Sequence, residues 1–419
     1  MQENLRESKF PLLAGNFYRK IYDILENKNI LIALFILMYS VSSLMVWKKY
    51  DWNPTAQINF GKEYCDLNSP QVPKGAVVFR GEEGNLGAGY DGQIFYFYSR
   101  MISGFALDWP KGFETSVRAP RIGYPLLAAP FGWFGAYGTI FGMYFLHIFF
   151  MIFSFLAIRD LLPNRKKILA VFYLLSPFAL GSYILLVSDT ILISLLVFTY
   201  WAYKKERYAL FALLGGLSLL TKEQALFLLF PLGVDSLLKK DFRRSLWILA
   251  CLVLPGLWNI FLKLKFPEAT PTRFAEFFDP LGGIAGYSRE IYGLWAGSVP
   301  LDGGLFRSLA KKFSRFPLLL LFLSGCFLLF RGDWKKGFPF RLGFAITMFS
   351  IFSAGYILYW ATYENISRMF TVSIPLLILW QAEDDRIAPW HYWGLCGVVL
   401  ILFFVKIAFI GKPLTHSIW

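Results

Sequence analysis

Along the chain, apolar residues arrive in blocks of about 15 to 25, the length that carries an α-helix across the hydrocarbon core of a bilayer. Eleven blocks are read as spanning helices: 30–47, 138–158, 168–187, 189–203, 208–220, 225–238, 245–262, 317–330, 342–361, 368–381 and 392–410. Two polar connections between them are long, 48–121 and 264–316; most of the others are short turns. The segment 122–134 is apolar enough to enter a membrane, but it is short and carries Pro125 and Pro130, so it is read as re-entrant or interfacial. Blocks 189–203 and 208–220 are short for a full crossing. The expected architecture is an all-α polytopic membrane protein formed by a single transmembrane domain over residues 1–419.

Composition agrees: 56% of the 419 residues are hydrophobic and 17% charged, which is not the make-up of a soluble globular chain. The net charge of +14 raises nucleic acid as a partner. The basic residues, however, sit in short clusters between apolar blocks, where they act as topology signals and lipid-phosphate contacts. Arg159/Arg165/Lys166/Lys167, Lys204/Lys205/Arg207, Lys239/Lys240/Arg243/Arg244 and Arg331/Lys335/Lys336/Arg341 fall on every second connection. That side is the cytoplasm by the positive-inside rule, and the basic N-terminal residues Arg6, Lys9, Arg19, Lys20 and Lys28 share it. A full crossing by 122–134 would turn every later cluster outward. The first block lacks a small-residue cleavage site, so it is a helix rather than a cleaved signal. Cys65, Cys251, Cys326 and Cys396 are scattered and suggest neither a disulfide framework nor a zinc site.

The opposite side receives both long connections and three charged turns. These hold Ser188-Asp189, Thr221-Lys222-Glu223, and Tyr363-Glu364-Asn365-Ile366-Ser367-Arg368. Ionisable residues at membrane depth are costly and mark functional positions by default. In the first long connection, Gly89-Tyr90-Asp91-Gly92-Gln93 precedes an aromatic run. Ile94, Phe97, Tyr98, Met101 and Phe105 recur at helical spacing, which predicts a helix along the interface with Asp91 near its start. Asp91 there fits two readings, a helix cap or a general base at the membrane surface. Arg118 and Arg121 likewise either snorkel to headgroups or grip a phosphate through charge-assisted forks. One face thus gathers Asp91, Asp189, Glu223 and Glu364 with Arg118, Arg121, Lys222 and Arg368, a carboxylate-plus-cation site.

The order of these features resembles the GT-C superfamily of integral-membrane glycosyltransferases that use polyprenyl-phosphate-linked sugars. The likeness is to the bacterial branch allied to the glycosylphosphatidylinositol mannosyltransferases. Tyr90-Asp91-Gly92-Gln93 resembles that branch's aromatic-Asp-Gly-Gln/His pattern. Arg118-Ala119-Pro120-Arg121-Ile122-Gly123-Tyr124-Pro125-Leu126-Leu127 resembles its Arg-x-x-Arg-x-x-Tyr-Pro-Leu-Leu signature. Ser188-Asp189, Leu220-Thr221-Lys222-Glu223 and the later Arg368 with Pro375 are similar to its remaining turns and final helix. The likeness covers most of residues 90–380, through short motifs whose order and common side carry it.

The resemblance implies an inverting transfer on the extracytoplasmic face of a bacterial inner membrane. Asp91 is then the catalytic base; Arg118, Arg121, Lys222 and Arg368 bind the donor phosphate; Tyr90, Gln93, Tyr124, Asp189, Glu223 and Glu364 contact sugar or acceptor. The partners implied are a polyprenyl-phosphate sugar, a lipid or glycan acceptor and membrane lipids, without nucleic acid. No cofactor is required, and no metal-ligating triad supports a divalent ion. Two departures stand out. No second Asp adjoins Asp91, and the chain ends soon after the last block, which makes a peptide acceptor unexpected.

A lipid-linked glycan flippase or transporter is the competing class, because many spans with embedded charges serve it too. Against it, the acids and bases concentrate on one face, whereas alternating access places coupled groups near the midplane. His147 within an apolar block reads as a core histidine. Asn365-Ile366-Ser367 matches a glycosylation pattern in a turn too tight to use it. Glu268, Arg273, Asp279 and Arg289 in the second long connection receive no role.

Overall fold

The computed structural model describes residues 24–80, 89–106, 108–267, 278–296, 309, 312–410 and 414–419. Arg6, Lys9, Arg19, Lys20, Glu268 and Arg273 lie outside the described residues. Within them the chain is an all-α membrane protein. Five helical runs are long and apolar enough to cross a bilayer: Lys28–Tyr50, Gly123–Leu161, Asn164–Ile184, Phe242–Lys265 and Trp390–Ala408. Three shorter apolar helices, Tyr208–Thr221, Phe316–Leu329 and Phe338–Phe352, pack with them.

Several apolar blocks are less regular than their composition suggests. Block 168–187 breaks at Ser176, whose hydroxyl accepts from the Ala179 amide and starts a new helix, Pro177–Ile184, with proline at its first position. Block 342–361 ends as an α-helix at Phe352, and Tyr356–Trp360 forms one π-helical turn beyond Gly355. Block 368–381 is divided between the helices Tyr363–Met369 and Ser373–Glu383. Such breaks are tolerated at membrane depth where protein rather than lipid surrounds the freed backbone groups. The helix Asp189–Lys204 is enclosed in this way, with every residue from Asp189 to Val197 buried.

The segment 122–134 forms a helix, Gly123–Ala128, and a 3-10 turn, Ala129–Phe134. The chain reverses at Gly135, whose φ is +87°, into the long helix Gly135–Leu161. Phe131 then lies against Gly138 and Gly142, where a Cβ would come within 2.6 Å and 2.2 Å of it. The helix and the 3-10 turn together reach about 21 Å against a hydrocarbon core of about 30 Å, and the segment packs on the long helix that follows.

The first long connection is built on a three-stranded sheet of β1 (Phe60–Gly61), β2 (Val77–Phe79) and β3 (His416–Ile418). β1 runs parallel to β2, and β3 pairs antiparallel with β2 in a register that sets Phe79 opposite His416. The end of the chain is thereby tied to its first long connection, and Trp419 exchanges backbone hydrogen bonds with Gly75 and Ala76.

The expected aromatic helix spans Asp91–Ser103, and Ile94, Phe97, Tyr98 and Met101 are buried on it. It does not lie on a surface, however. Every residue from Gly92 to Ser99 is buried, packed against the Gly123–Phe134 segment, the long helix Gly135–Leu161, the 3-10 turn Pro54–Ile58 and β1. Tyr96 donates to the Gln71 carbonyl, which satisfies its hydroxyl inside the packing. Phe105 has left the helix with φ +55° and is exposed.

Candidate functional site

Asp91 is the first residue of its helix, following Tyr90 in extended conformation. A carboxylate there is favoured by the unpaired amides and dipole of the helix N-terminus. Gly92 fixes where the helix begins. A Cβ at that position would lie 2.5 Å from the Leu185 carbonyl oxygen and 2.9 Å from that of Ile58, so the backbone enters between two other backbones. Gln93 holds the same turn from behind, its Oε1 accepting from the Gly61 amide at 2.8 Å.

A continuous chain of ion pairs runs from this point. Arg118 Nη1 donates to Asp91 Oδ1 at 2.5 Å, and Arg368 Nη1 donates to Asp91 Oδ2 at 3.0 Å. Arg368 turns its Nε to Asp189 Oδ2 at 2.7 Å, and Lys222 Nζ reaches Asp189 Oδ1 at 2.6 Å. Arg368 also donates to the Tyr90 hydroxyl at 3.1 Å, which in turn donates to Asn365 Oδ1 at 2.5 Å. Beside this chain Arg121 forks onto Glu223, Nε to Oε2 at 3.0 Å and Nη2 to Oε1 at 2.8 Å. Gly123 permits that approach, since a Cβ on it would stand 2.4 Å from Thr221 Oγ1 and 2.7 Å from the Thr221 amide. At the other end Glu364 pairs with Lys406.

Of the eight charged residues expected from the sequence, Asp91, Arg118, Asp189, Lys222 and Arg368 join in one chain of ion pairs, from segments up to 277 residues apart, while Arg121–Glu223 forms a pair within electrostatic reach of Lys222 and Glu364 pairs separately with Lys406. Tyr90 joins them through Arg368. Gln93 and Tyr124 are instead held in the packing beside the cluster, the Tyr124 hydroxyl lying 3.2 Å from His147 Nε2. Among the described residues, no group of three His, Cys, Asp or Glu side chains is arranged to hold a metal ion.

Exposure divides the cluster. Asp189 is completely buried, while Asp91 keeps 22% and Arg118 34% of the side chain accessible. Burial works to raise the pKa of the Asp91 carboxyl, but the guanidiniums of Arg118 and Arg368 outweigh it and hold the group well below the usual carboxylate range. Glu223, more exposed, is also lowered, by the neighbouring charges of Arg121 and Lys222. The arrangement presents an ionised carboxylate and several guanidinium donors at an accessible edge, backed by a sealed carboxylate.

Three further residues reach the cluster that the sequence did not single out as site residues. Tyr359 stands within electrostatic reach of Arg121, Glu223, Arg368 and Asp91. Asn365 receives the Tyr90 hydroxyl, and Lys406 holds Glu364. Asn365 and Lys406 carried a readable signal: one is a polar residue between Glu364 and Arg368, the other a lone lysine near the end of an apolar block. Tyr359 carried none, being one aromatic residue among many.

No protein-family model matches this chain, and no curated protein sequence does. What can be said of its chemistry comes from the cluster itself.

Proposed function

We propose that the protein is an inverting glycosyltransferase of GT-C type. It moves a mannose-like hexose or a pentose from a polyprenyl-phosphate donor to a hydroxyl of a cell-envelope lipid or glycan acceptor. The reaction takes place on the extracytoplasmic face of a bacterial inner membrane, with the N-terminus in the cytoplasm. The observation that carries this reading is the accessible Asp91 carboxylate held between Arg118 and Arg368 at the start of a helix. The pairing of β3 with β2 sets the chain's end beside the connection that follows the first helix. It supports an odd number of crossings, eleven being one.

In the reaction the acceptor oxygen attacks the anomeric carbon from the face opposite the phosphate. The bond from that carbon to the phosphate oxygen breaks, the acceptor proton passes to Asp91, and polyprenyl phosphate departs with the bonding electrons. Configuration inverts. The chain's cations stabilise the charge gathering on the leaving phosphate, a preorganised electrostatic role. Arg118, Arg121 and Arg368 supply planar forks suited to phosphate oxygens. Lys222 acts one step behind, neutralising Asp189 so that Arg368 stays aimed.

The resting geometry poses a problem that the mechanism has to solve. Two guanidiniums on Asp91 make it a weak base. An arriving phosphate competes for those same guanidiniums, and each one drawn away returns basicity to the carboxylate. Donor binding thus prepares the base, and Asp91 is poor at abstracting protons while the donor is absent.

The test is turnover of a panel of polyprenyl-phosphate sugars by the purified protein in lipid discs. Free polyprenyl phosphate should appear together with a glycoside of inverted anomeric configuration. Movement of a lipid-linked glycan across sealed vesicles without cleavage of any donor would instead establish the flippase class.

A further inference from the structure

Arg315, near the end of the second long connection, is only 3% exposed and directs its guanidinium three ways. Nη2 reaches both oxygens of the Glu290 carboxylate, at 2.9 and 2.8 Å, and Nη1 donates to the Trp360 carbonyl at 2.5 Å. The guanidinium also lies over the Tyr287 ring, 4.7 Å from its centre. Glu290 accepts in addition from the Tyr356 hydroxyl at 2.8 Å. The pair therefore grips both ends of the π-helical turn Tyr356–Trp360. The helix that carries Glu290, Gly282–Trp295, is pressed onto the same turn. A Cβ at Gly283 would stand 2.0 Å from the Ala354 carbonyl oxygen, and one at Gly286 would stand 2.7 Å from the Tyr356 ring. Just before that helix the backbones are joined, Asp279 and Leu281 donating to the carbonyls of Ser353 and Phe352.

From this turn the contacts lead to the charged cluster. Asn365 Nδ2 donates to the Leu358 carbonyl at 2.8 Å, while its Oδ1 accepts from the Tyr90 hydroxyl that Arg368 also holds. Tyr359, on the turn itself, stands within electrostatic reach of Asp91, Arg121, Glu223 and Arg368. A buried ion pair is a costly way to join two elements, since apolar residues of similar size often serve as well. What it adds here is direction, because a planar fork fixes an angle that apolar packing leaves loose. Single π-helical turns are rare and concentrate at functional sites, and this one is held by the fork on one side and meets the cluster on the other.

We propose that Glu290 and Arg315 are positioning residues for the charged cluster. They hold the Tyr356–Trp360 turn at the angle from which Tyr359 and Asn365 meet Tyr90 and Arg368, on either side of Asp91. The second long connection is thereby a brace of the site, although none of its charged residues touches Asp91. Where turnover is concerned the proposal rests on the transferase reading; the order of the cluster can be measured without it.

The experiment places a single fluorotyrosine at position 90 of the full chain in lipid discs and reads its fluorine NMR line. A second preparation labelled at Tyr392, which bonds Ser373 in the core, serves as reference. Glu290→Gln alone is a poor probe, because it strands the buried Arg315 charge and destabilises the whole fold. Two variants avoid this. Arg315→Lys keeps a cation for Glu290 but has one nitrogen where the fork reaches both the carboxylate and the Trp360 carbonyl. Glu290→Leu/Arg315→Met/Tyr356→Phe removes the polar side chains together and leaves no orphan charge. In both, the Tyr90 line should shift or broaden while the Tyr392 line stays in place and the unfolding temperature remains near wild type. The kcat of sugar transfer should fall roughly tenfold to a hundredfold, the scale of a misplacement of about 1 Å. A pair that only stabilises would leave the Tyr90 line and kcat as in wild type, and that result overturns the proposal. So does a Tyr392 line that moves equally, which marks general loosening, or a disturbed Tyr90 line with turnover intact. A Tyr90 line disturbed as expected, in a protein whose wild type transfers no sugar from any donor, leaves the brace standing and sinks the transferase reading.

Discussion

Asp91 and Asp189 grip the same guanidinium from opposite sides, yet their surroundings differ sharply. Asp189 has no accessible surface and two cationic partners, Lys222 and Arg368. Asp91 also has two, Arg118 and Arg368, but it opens at an edge where Arg118 is a third exposed. A sealed carboxylate between two cations holds its neighbours in position and cannot meet a substrate. An open one at a helix start can exchange its partners. On the proposed reading, the difference gives Asp189 the anchoring role and Asp91 the chemistry, although in sequence both are single acids beside apolar blocks.

The widest expected separation between the two is in stability. Asp189→Asn leaves Lys222 without its counter-charge and Arg368 with Asp91 alone, a break in a buried pair that typically costs about 3–5 kcal/mol. Thermal unfolding in lipid discs should therefore fall far below wild type, and an Asp189→Asn protein as stable as wild type would erase the comparison.

A smaller effect is expected from the glycines that position each limb of the cluster. Gly92→Ala and Gly123→Ala push a methyl group against backbone, overpacking that costs about 1–3 kcal/mol. Gly92→Ala displaces Asp91 directly, so its turnover should drop by more than its stability loss explains. Gly123→Ala moves the Arg121–Glu223 pair and should chiefly weaken donor binding. Kinetics beside unfolding curves for the two variants would separate these cases.

The smallest effect lies in pH dependence. A carboxyl lowered by its partners stabilises the fold above its unfolded pKa and loses that contribution as pH falls through the folded value. For Asp91 this happens below the ordinary carboxylate range, so the acid limb of kcat/KM, which reports the free enzyme, should lie there too. Arg118→Gln removes one of the guanidiniums responsible and should move the limb to higher pH. A limb that stays in place would mean that Asp91 is not the group being titrated.

The charged face was legible in the sequence because an ionisable residue in apolar surroundings is conspicuous. Asp91, Asp189, Glu223, Glu364 and their four cations could be assigned to one side from loop parity alone. Which of them are sealed could not be read, since burial of Asp189 depends on helices brought over it from distant parts of the chain. Gln93 and Tyr124 show the same limit: the resemblance marked them, and direction, which sequence does not encode locally, turned them into packing. The apolar blocks announced helices but not the breaks at Ser176 or Gly355, because hydrophobicity is the same on either side of a break. The β2–β3 pairing joins three residues near the chain's end to a strand more than 300 residues earlier, a contact that no local pattern announces.

The division of labour between the two carboxylates is tested most directly by Asp91→Asn, with donor turnover and unfolding temperature measured on the same preparation. A missing general base typically costs about a hundred- to ten-thousandfold in rate. The expected result is turnover reduced on that scale in a protein that unfolds close to the wild-type temperature. Turnover at the wild-type rate, or a collapse in stability like that expected of Asp189→Asn, would show that Asp91 is a second anchor and that the chemistry lies elsewhere.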